Sequence, residues 1–179
     1  MTTTLVIIVF ALAAVLLLLR AARGHAQIVR ELSQLEGLTR PVDLAAFRNL
    51  LHPADDEYLR AHLHRKQFRS VQRQRLRAAL DYVDRTAHNA SVLLRLGEGA
   101  QQSHDPEIAA AGRELANGAL LLRIYAKLAM PVLYARIILP GSHISVGHLV
   151  DMYETVTAGL VRLTRLQNPA YVGRIATVV

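Results

Sequence analysis

From Leu5 to Leu19 the chain runs through fifteen consecutive apolar residues, LVIIVFALAAVLLLL, with no charge, Pro or Gly among them. A bilayer core of about 30 Å needs roughly 20 residues of helix, with a range near 17 to 25. Thr2, Thr3 and Thr4 lengthen the run to eighteen, because a helical Thr can satisfy its hydroxyl on its own backbone. The stretch therefore predicts a transmembrane anchor over residues 1–22. A secretory signal would carry a positive leader before a shorter apolar core and a small-residue cleavage site after it. Here Met1-Thr2-Thr3-Thr4 has no charged side chain, and Arg23 blurs the small-residue pattern that follows.

The charges flanking this run set its direction. Arg20, Arg23 and Arg30 all precede the first acid, Glu31. Positive residues beside a span stay in the cytoplasm, so the expectation is a single pass through the inner (plasma) membrane, N-terminus outside and body inside. Arg20 and Arg23 then act as membrane-interface anchors, their stems in apolar surroundings and their heads at the phosphates. The span contains no titratable side chain, and so offers neither an axial ligand nor a proton relay.

Composition narrows what the remainder can be. Of the 179 residues, 52% are hydrophobic but only 5% aromatic, with no Trp. Leu, Ala, Val and Ile dominate, a palette that suits helices packed side by side better than a sandwich or barrel. The Ala, Leu and Arg-rich usage fits a bacterial chain. There is no Cys, which removes disulfides, thiolate metal sites, iron–sulfur clusters and cysteine nucleophiles. The formal net charge of +7 and a pI near 10.4 call for an anionic partner or surface.

Helix signals then follow one another along the chain. Ile28, Leu32, Leu35 and Leu38 keep helical spacing, so a juxtamembrane helix is expected from Ala26 to Leu38, ended by Gly37 and Arg40-Pro41. Pro41 is read as opening a short helix with Leu44, Phe47 and Leu51 on one face. Pro53, with Asp55, Asp56 and Glu57 behind it, opens a second, its acids complementing the helix dipole. No Pro or Gly intervenes until Gly97, so the reading is a single helix of about forty residues and roughly 60 Å. Its buried stripe is Leu59, Leu63, Leu76, Leu80, Val83, Ala87, Ala90 and Leu94.

Asp105-Pro106-Glu107 starts another helix, very apolar from Ala119 to Leu139 and interrupted by Pro131. Arg123, Lys127 and Arg136 lie within that stretch. Each basic residue near a bilayer centre costs about 2.5 to 3.5 kcal/mol, so a central core helix of the bundle is expected in place of a second span, with a helix lying in the membrane interface as the alternative. A final helix from Ser145 to about Leu166 presents Leu149, Met152, Val156, Leu160 and Leu163 on one face, and Asn168-Pro169 stops it. The expected fold is all-α: an anchor over 1–22, a juxtamembrane helix and connector over 23–52, and an antiparallel cytoplasmic bundle over 53–179.

The sharpest local feature is a run of cations. Arg60, Arg65, Lys66, Arg69, Arg73, Arg75 and Arg77, with His62 and His64, occupy eighteen residues without an acid. Charge runs are usually a solvated face, but these seven equal the chain's whole formal excess and cannot all be neutralised internally. They are the candidate anion- or partner-binding residues. Base readout is disfavoured, since Phe68 is the one aromatic in the run and no nucleic-acid recognition motif is present.

Chemistry-bearing patterns are otherwise missing. The eight His show no metal-ligand spacing: His62 and His64 point to different sides of a helix, and His143 and His148 straddle a helix start. His148 and Asp151 could form a surface pair. The sequon Asn89-Ala90-Ser91 falls mid-helix, and Gly97-Glu98-Gly99 lacks a strand-to-helix context. Tyr125, Tyr134, Tyr153 and Tyr171 read as core or rim residues. The expectation is a non-enzymatic, membrane-anchored accessory or scaffold subunit without cofactor or metal. It docks to a protein partner, or a second copy of itself, through the basic helix and leftover apolar faces. The alternative is a tethered module that grips anionic lipid or, less well, nucleic acid.

Overall fold

A computed structural model describes residues 35–138 and 148–175; the expected anchor, with Arg20 and Arg23, lies outside them. Within the described residues the chain is helical, with no strand. Five helices carry the fold: α1 (Leu44–Leu51), α2 (Pro53–His62), α3 (Arg65–Ala100), α4 (Pro106–Ile138) and α5 (His148–Gln167). A turn of helix at Leu35–Leu38 is the described part of the expected juxtamembrane helix.

The first departure from the sequence reading is at Leu63-His64, where the expected forty-residue helix is broken. Both residues are extended, with ψ of 144° and 148°, so α2 and α3 are separate helices. Neither Pro nor Gly marks the break. Its cause is tertiary: α2 folds back, and Arg75 reaches Asp55 at 3.3 Å and Asp56 at 3.8 Å. In one straight helix residues 55 and 75 would stand about 30 Å apart. Arg75 also donates to the carbonyls of Asn49 and Leu50 at the end of α1, while Arg136 of α4 reaches Asp56 at 3.6 Å. These contacts hold the break open.

At its other end α3 overruns Gly97, the expected stop, by three residues to Ala100. Gly97 is where α3 and α4 cross. A methyl group there would sit 2.7 Å from the Ala116 nitrogen and 2.8 Å from the Gly112 oxygen, and one on Gly112 would sit 2.8 Å from Ala100 Cβ. The glycines let two backbones touch, which favours continuing the helix over ending it. Asp105 caps α4 as expected, accepting from the Glu107 amide at 2.8 Å. The helix passes through Pro131 without ending.

The core is the shared inner face of α3, α4 and α5, antiparallel along the α3–α4 pair. Leu76, Val83, Ala87, Ala90 and Leu94 of the expected stripe are buried, with Leu80 packed at its edge, whereas Leu59 and Leu63, on and just after α2, are only half-buried because the helix breaks there. On α5, Leu149, Val156, Leu160 and Leu163 are buried as the spacing required. Phe47 closes one end of the core from α1, fully buried and stacked on Tyr82 at 5.3 Å. α1 begins at Leu44, not at Pro41: Asp43 is its cap, accepting from the Ala46 amide at 2.9 Å.

The segment from Leu38 to Pro41 runs against α3. Asn89, fully buried, accepts from the Arg40 amide at 2.8 Å and donates to the Arg40 carbonyl at 2.7 Å, acting as a strand partner would. Its remaining hydrogen goes to the Tyr153 hydroxyl at 2.8 Å. The His88 ring meets the Leu38 carbonyl, Arg85 donates to the Pro41 carbonyl and Arg40 pairs with Asp84. The segment leading toward the expected anchor is thereby fastened to the middle of the bundle. Asn89 of the sequon is inside the fold, unavailable to an enzyme that modifies surface loops.

Among the described residues one helix, α4, is long and apolar enough to cross a membrane. Only 28% of its most apolar window is buried.

Candidate binding face on the long helix

The seven candidate cations are divided by the fold. Arg75, with a side chain 15% exposed, turns inward to Asp55, Asp56 and two carbonyls, and serves the structure. Arg60, on α2, lies 5.5 Å above the half-buried ring of Phe68, a cation–π contact that ties α2 to α3. Arg65, Lys66, Arg69, Arg73 and Arg77 are exposed, and no acid among the described residues pairs with them.

Four of these five form a ladder. Lys66, Arg69, Arg73 and Arg77 recur every three or four residues and so share a face of α3, with Ser70 and Gln74 between them. The ladder spans about 16 Å and borders an open depression of about 430 Å³. At its inner edge Arg69 and Arg73 share a crevice with Gln72, Leu76, Arg136 and Ile137. That crevice has room for about 10 Å³, the scale of a single water, and cannot hold a substrate. Gln72 is 8% exposed, and its side-chain oxygen there has no hydrogen-bond partner.

The helix start beneath the ladder breaks a local rule. α3 opens without a side-chain cap at His64 and without an acid in its first turn, yet Arg65 and Lys66 sit on its positive end. Cations at a helix N-terminus are unfavourable, by about 0.3 to 1 kcal/mol each in exposed positions. α2 and α4 both carry acids in their first turns, so the chain obeys the rule elsewhere and departs from it here.

Groups that could have supported catalysis are dispersed. Glu114 pairs with Arg162 at 2.8 Å, while Asp151 turns to Arg48 at 3.4 Å and so is not held by His148. The His148 ring lies edge-on to Tyr125 at 6.2 Å. Among the described residues no three His, Asp or Glu side chains gather as metal ligands would. Burial raises the pKa of the Tyr153 hydroxyl, and the Asn89 hydrogen bond partly offsets that rise. Burial and the nearby charge of Arg95 lower that of Arg123, with Glu98 opposing them. Arg123 remains a cation at neutral pH.

One surface escaped the sequence reading. The expected core helix α4 buries one face only: Ala119, Leu122, Ala126, Ala129 and Leu133 are inside, while Leu121, Tyr125 and Leu128 are 51%, 48% and 47% exposed. Its apolarity all round was legible; that only one side would be covered was not. Compared with models of protein families, with characterised proteins and with solved structures, the chain finds no match.

Proposed function

We propose that this chain is a non-enzymatic docking subunit at the membrane, and that Lys66, Arg69, Arg73 and Arg77 receive an acidic surface of a partner protein. In this reading Leu5–Leu19 tethers it by a single pass through the inner membrane, with the bundle in the cytoplasm. The observation that carries the proposal is the unneutralised ladder on a helix start that its own charges destabilise. A chain violates a local rule most often where function requires it. The acids next to the ladder are committed elsewhere, Asp55 and Asp56 to Arg75 and Arg136, and Asp81, one turn beyond Arg77, to Arg85, which leaves the outer cations for a partner. Phe68 is half-buried under Arg60 and presents no stacking platform, which argues against nucleic acid.

The test uses the full chain in mild detergent. Replacing Lys66, Arg69, Arg73 and Arg77 together by Gln keeps the helix formers and removes the charge. Recovery of the co-purifying partner should fall about tenfold or more, and an all-Lys version should restore it. Added salt should act as the Gln variant does. Undiminished recovery from the Gln variant would remove the basis of the proposal. Binding of the purified protein to RNA or to lipid vesicles, lost in the same variant, would assign the ladder to that partner instead. A reporter fused at Val179 that is active only outside the cytoplasm would overturn the orientation.

A further inference from the structure

We infer that the protein docked on the α3 ladder is a second copy of this chain, which seats the acidic turn between its own α3 and α4 there, head to tail. The inference rests on the ladder being a protein-docking face and adds which protein docks. Its source is the direction of charge along α3. α2, α4 and α5 each carry an acid in the first turn and a base in the last, and α1 has a base in its last turn, as the helix dipole favours. α3 has neither. It places Arg65 and Lys66 on its positive end and Glu98 in its last turn, so its side chains add to the dipole that the other helices oppose.

The separation extends past the helix. From Tyr58 to Leu80 the sequence has no acid, and from Leu96 to Gly112 it has no Lys or Arg. The second stretch holds Glu98, Asp105 and Glu107, all exposed and in no ion pair among the described residues. Asp105 also caps α4, and Glu98 acts at longer range on Arg123. The other described acids outside an ion pair are Asp43, the α1 cap, and Glu57 on α2, so the turn is where uncommitted acids gather. Ladder and turn cannot meet within one copy, because the middle of the ladder stands about 40 Å from Glu98 along α3. Between copies they are complementary. Ladder against ladder is disfavoured by like charge, so the contact joins two different surfaces and leaves one of each sign open to a further copy. Gln72 adds a second requirement: its buried side-chain oxygen, in the crevice beside Arg69 and Arg73, lacks a hydrogen-bond donor. Ionised carboxylates only accept, but Gln101 and Gln102, both exposed on the turn, carry amide donors among its acids. The crevice has room for one group the size of a water, which an amide nitrogen matches. Arg136, on the same crevice, is committed to Asp56 and takes no part.

The chain has no cysteine, so a disulfide can report the contact. Full-length Ser70→Cys and Gln102→Cys proteins, each changed at an exposed position, are mixed in mild detergent and oxidised. The mixed disulfide should form about fivefold faster or more than either protein cross-links to itself, and added salt should remove that preference. Charge reversal then assigns the surfaces. A ladder variant (Lys66→Glu, Arg69→Glu, Arg73→Glu) and a turn variant (Glu98→Lys, Glu107→Lys, with the Asp105 cap kept) should each sediment as monomer where the parent sediments as larger species. Mixed together, the two variants should associate again, since every ladder then faces a turn of opposite sign, and that recovery shows both to be folded. Three results overturn the inference: a parent that is monomeric at every concentration, Ser70→Cys cross-linking to itself as fast as to Gln102→Cys, or reversed variants that stay apart when mixed. If the parent is monomeric while a different protein co-purifies with it and is lost with the Gln ladder variant, the docking role stands and only the self-pairing falls.

Discussion

The two ends of α3 make opposite use of one helix. Around Gly97 it lies so close to α4 that a single methyl group would strike backbone. Thirty residues earlier, Lys66, Arg69 and Arg73 stand in solvent with their charges unanswered by any acid among the described residues. The contrast separates what holds the bundle together from what is left over for a partner. Close packing at one end supplies stability that tolerates cations on an uncapped helix start at the other.

The largest effect should come from the packed end. Gly112→Leu forces a side chain against Ala100 and Gln101, and should cost about 3 kcal/mol, read as a Tm lowered by roughly 6 to 12 °C. A Tm within 2 °C of the parent would show that the crossing relaxes and that the contrast is overstated. Next is the buried hook: Asn89→Ala strips partners from the Arg40 backbone and the Tyr153 hydroxyl, at about 2 kcal/mol. Hydrogen exchange should quicken across residues 39–43 before it does in α5. Uniform quickening would mean the segment is not separately fastened.

The comparison sharpens within the cluster itself. Arg75→Ala removes the clasp between α1, α2 and α3 and should cost roughly 1 to 2 kcal/mol, whereas Arg73→Ala should change urea stability by less than about 0.5 kcal/mol. Equal costs would contradict the division of the seven cations into structural and free. The smallest effect concerns pH. Because burial raises the Tyr153 pKa, the neutral hydroxyl is favoured in the fold. Its contribution is complete below roughly pH 10, where a free tyrosine begins to ionise, and declines as pH rises further. Tyr153→Phe should flatten that decline relative to the parent in alkaline denaturation curves.

Parts of this architecture could be read directly from the residues. The stripe through Leu76, Val83, Ala87, Ala90 and Leu94 and the α5 face through Leu149, Val156, Leu160 and Leu163 followed from spacing alone, because side chains three and four apart must share a side. The Asp105 cap followed from local chemistry. What stayed hidden depended on contacts between distant residues. Nothing between Pro53 and Gly97 marks Leu63-His64 as a break, since its cause is Arg75 meeting Asp55 twenty residues away. Gly97 looked like a stop because a glycine read locally is a helix breaker; read against Gly112 and Ala116, it is a contact. The cation cluster was legible as charge, but its division was not, because direction around a helix matters only once the neighbours are known.

The sequence by itself determined that this body is helical, where most of its buried stripes run, and that it carries more positive charge than it can neutralise. Those are properties of periodicity and composition, set by residues within a few turns of one another. Only the tertiary structure decided where the long helix breaks, which of the clustered arginines is spent on the fold, and which side of α4 is left uncovered. Those outcomes turn on burial and ion pairing between segments far apart in the chain. Their energies exist only after the segments have met.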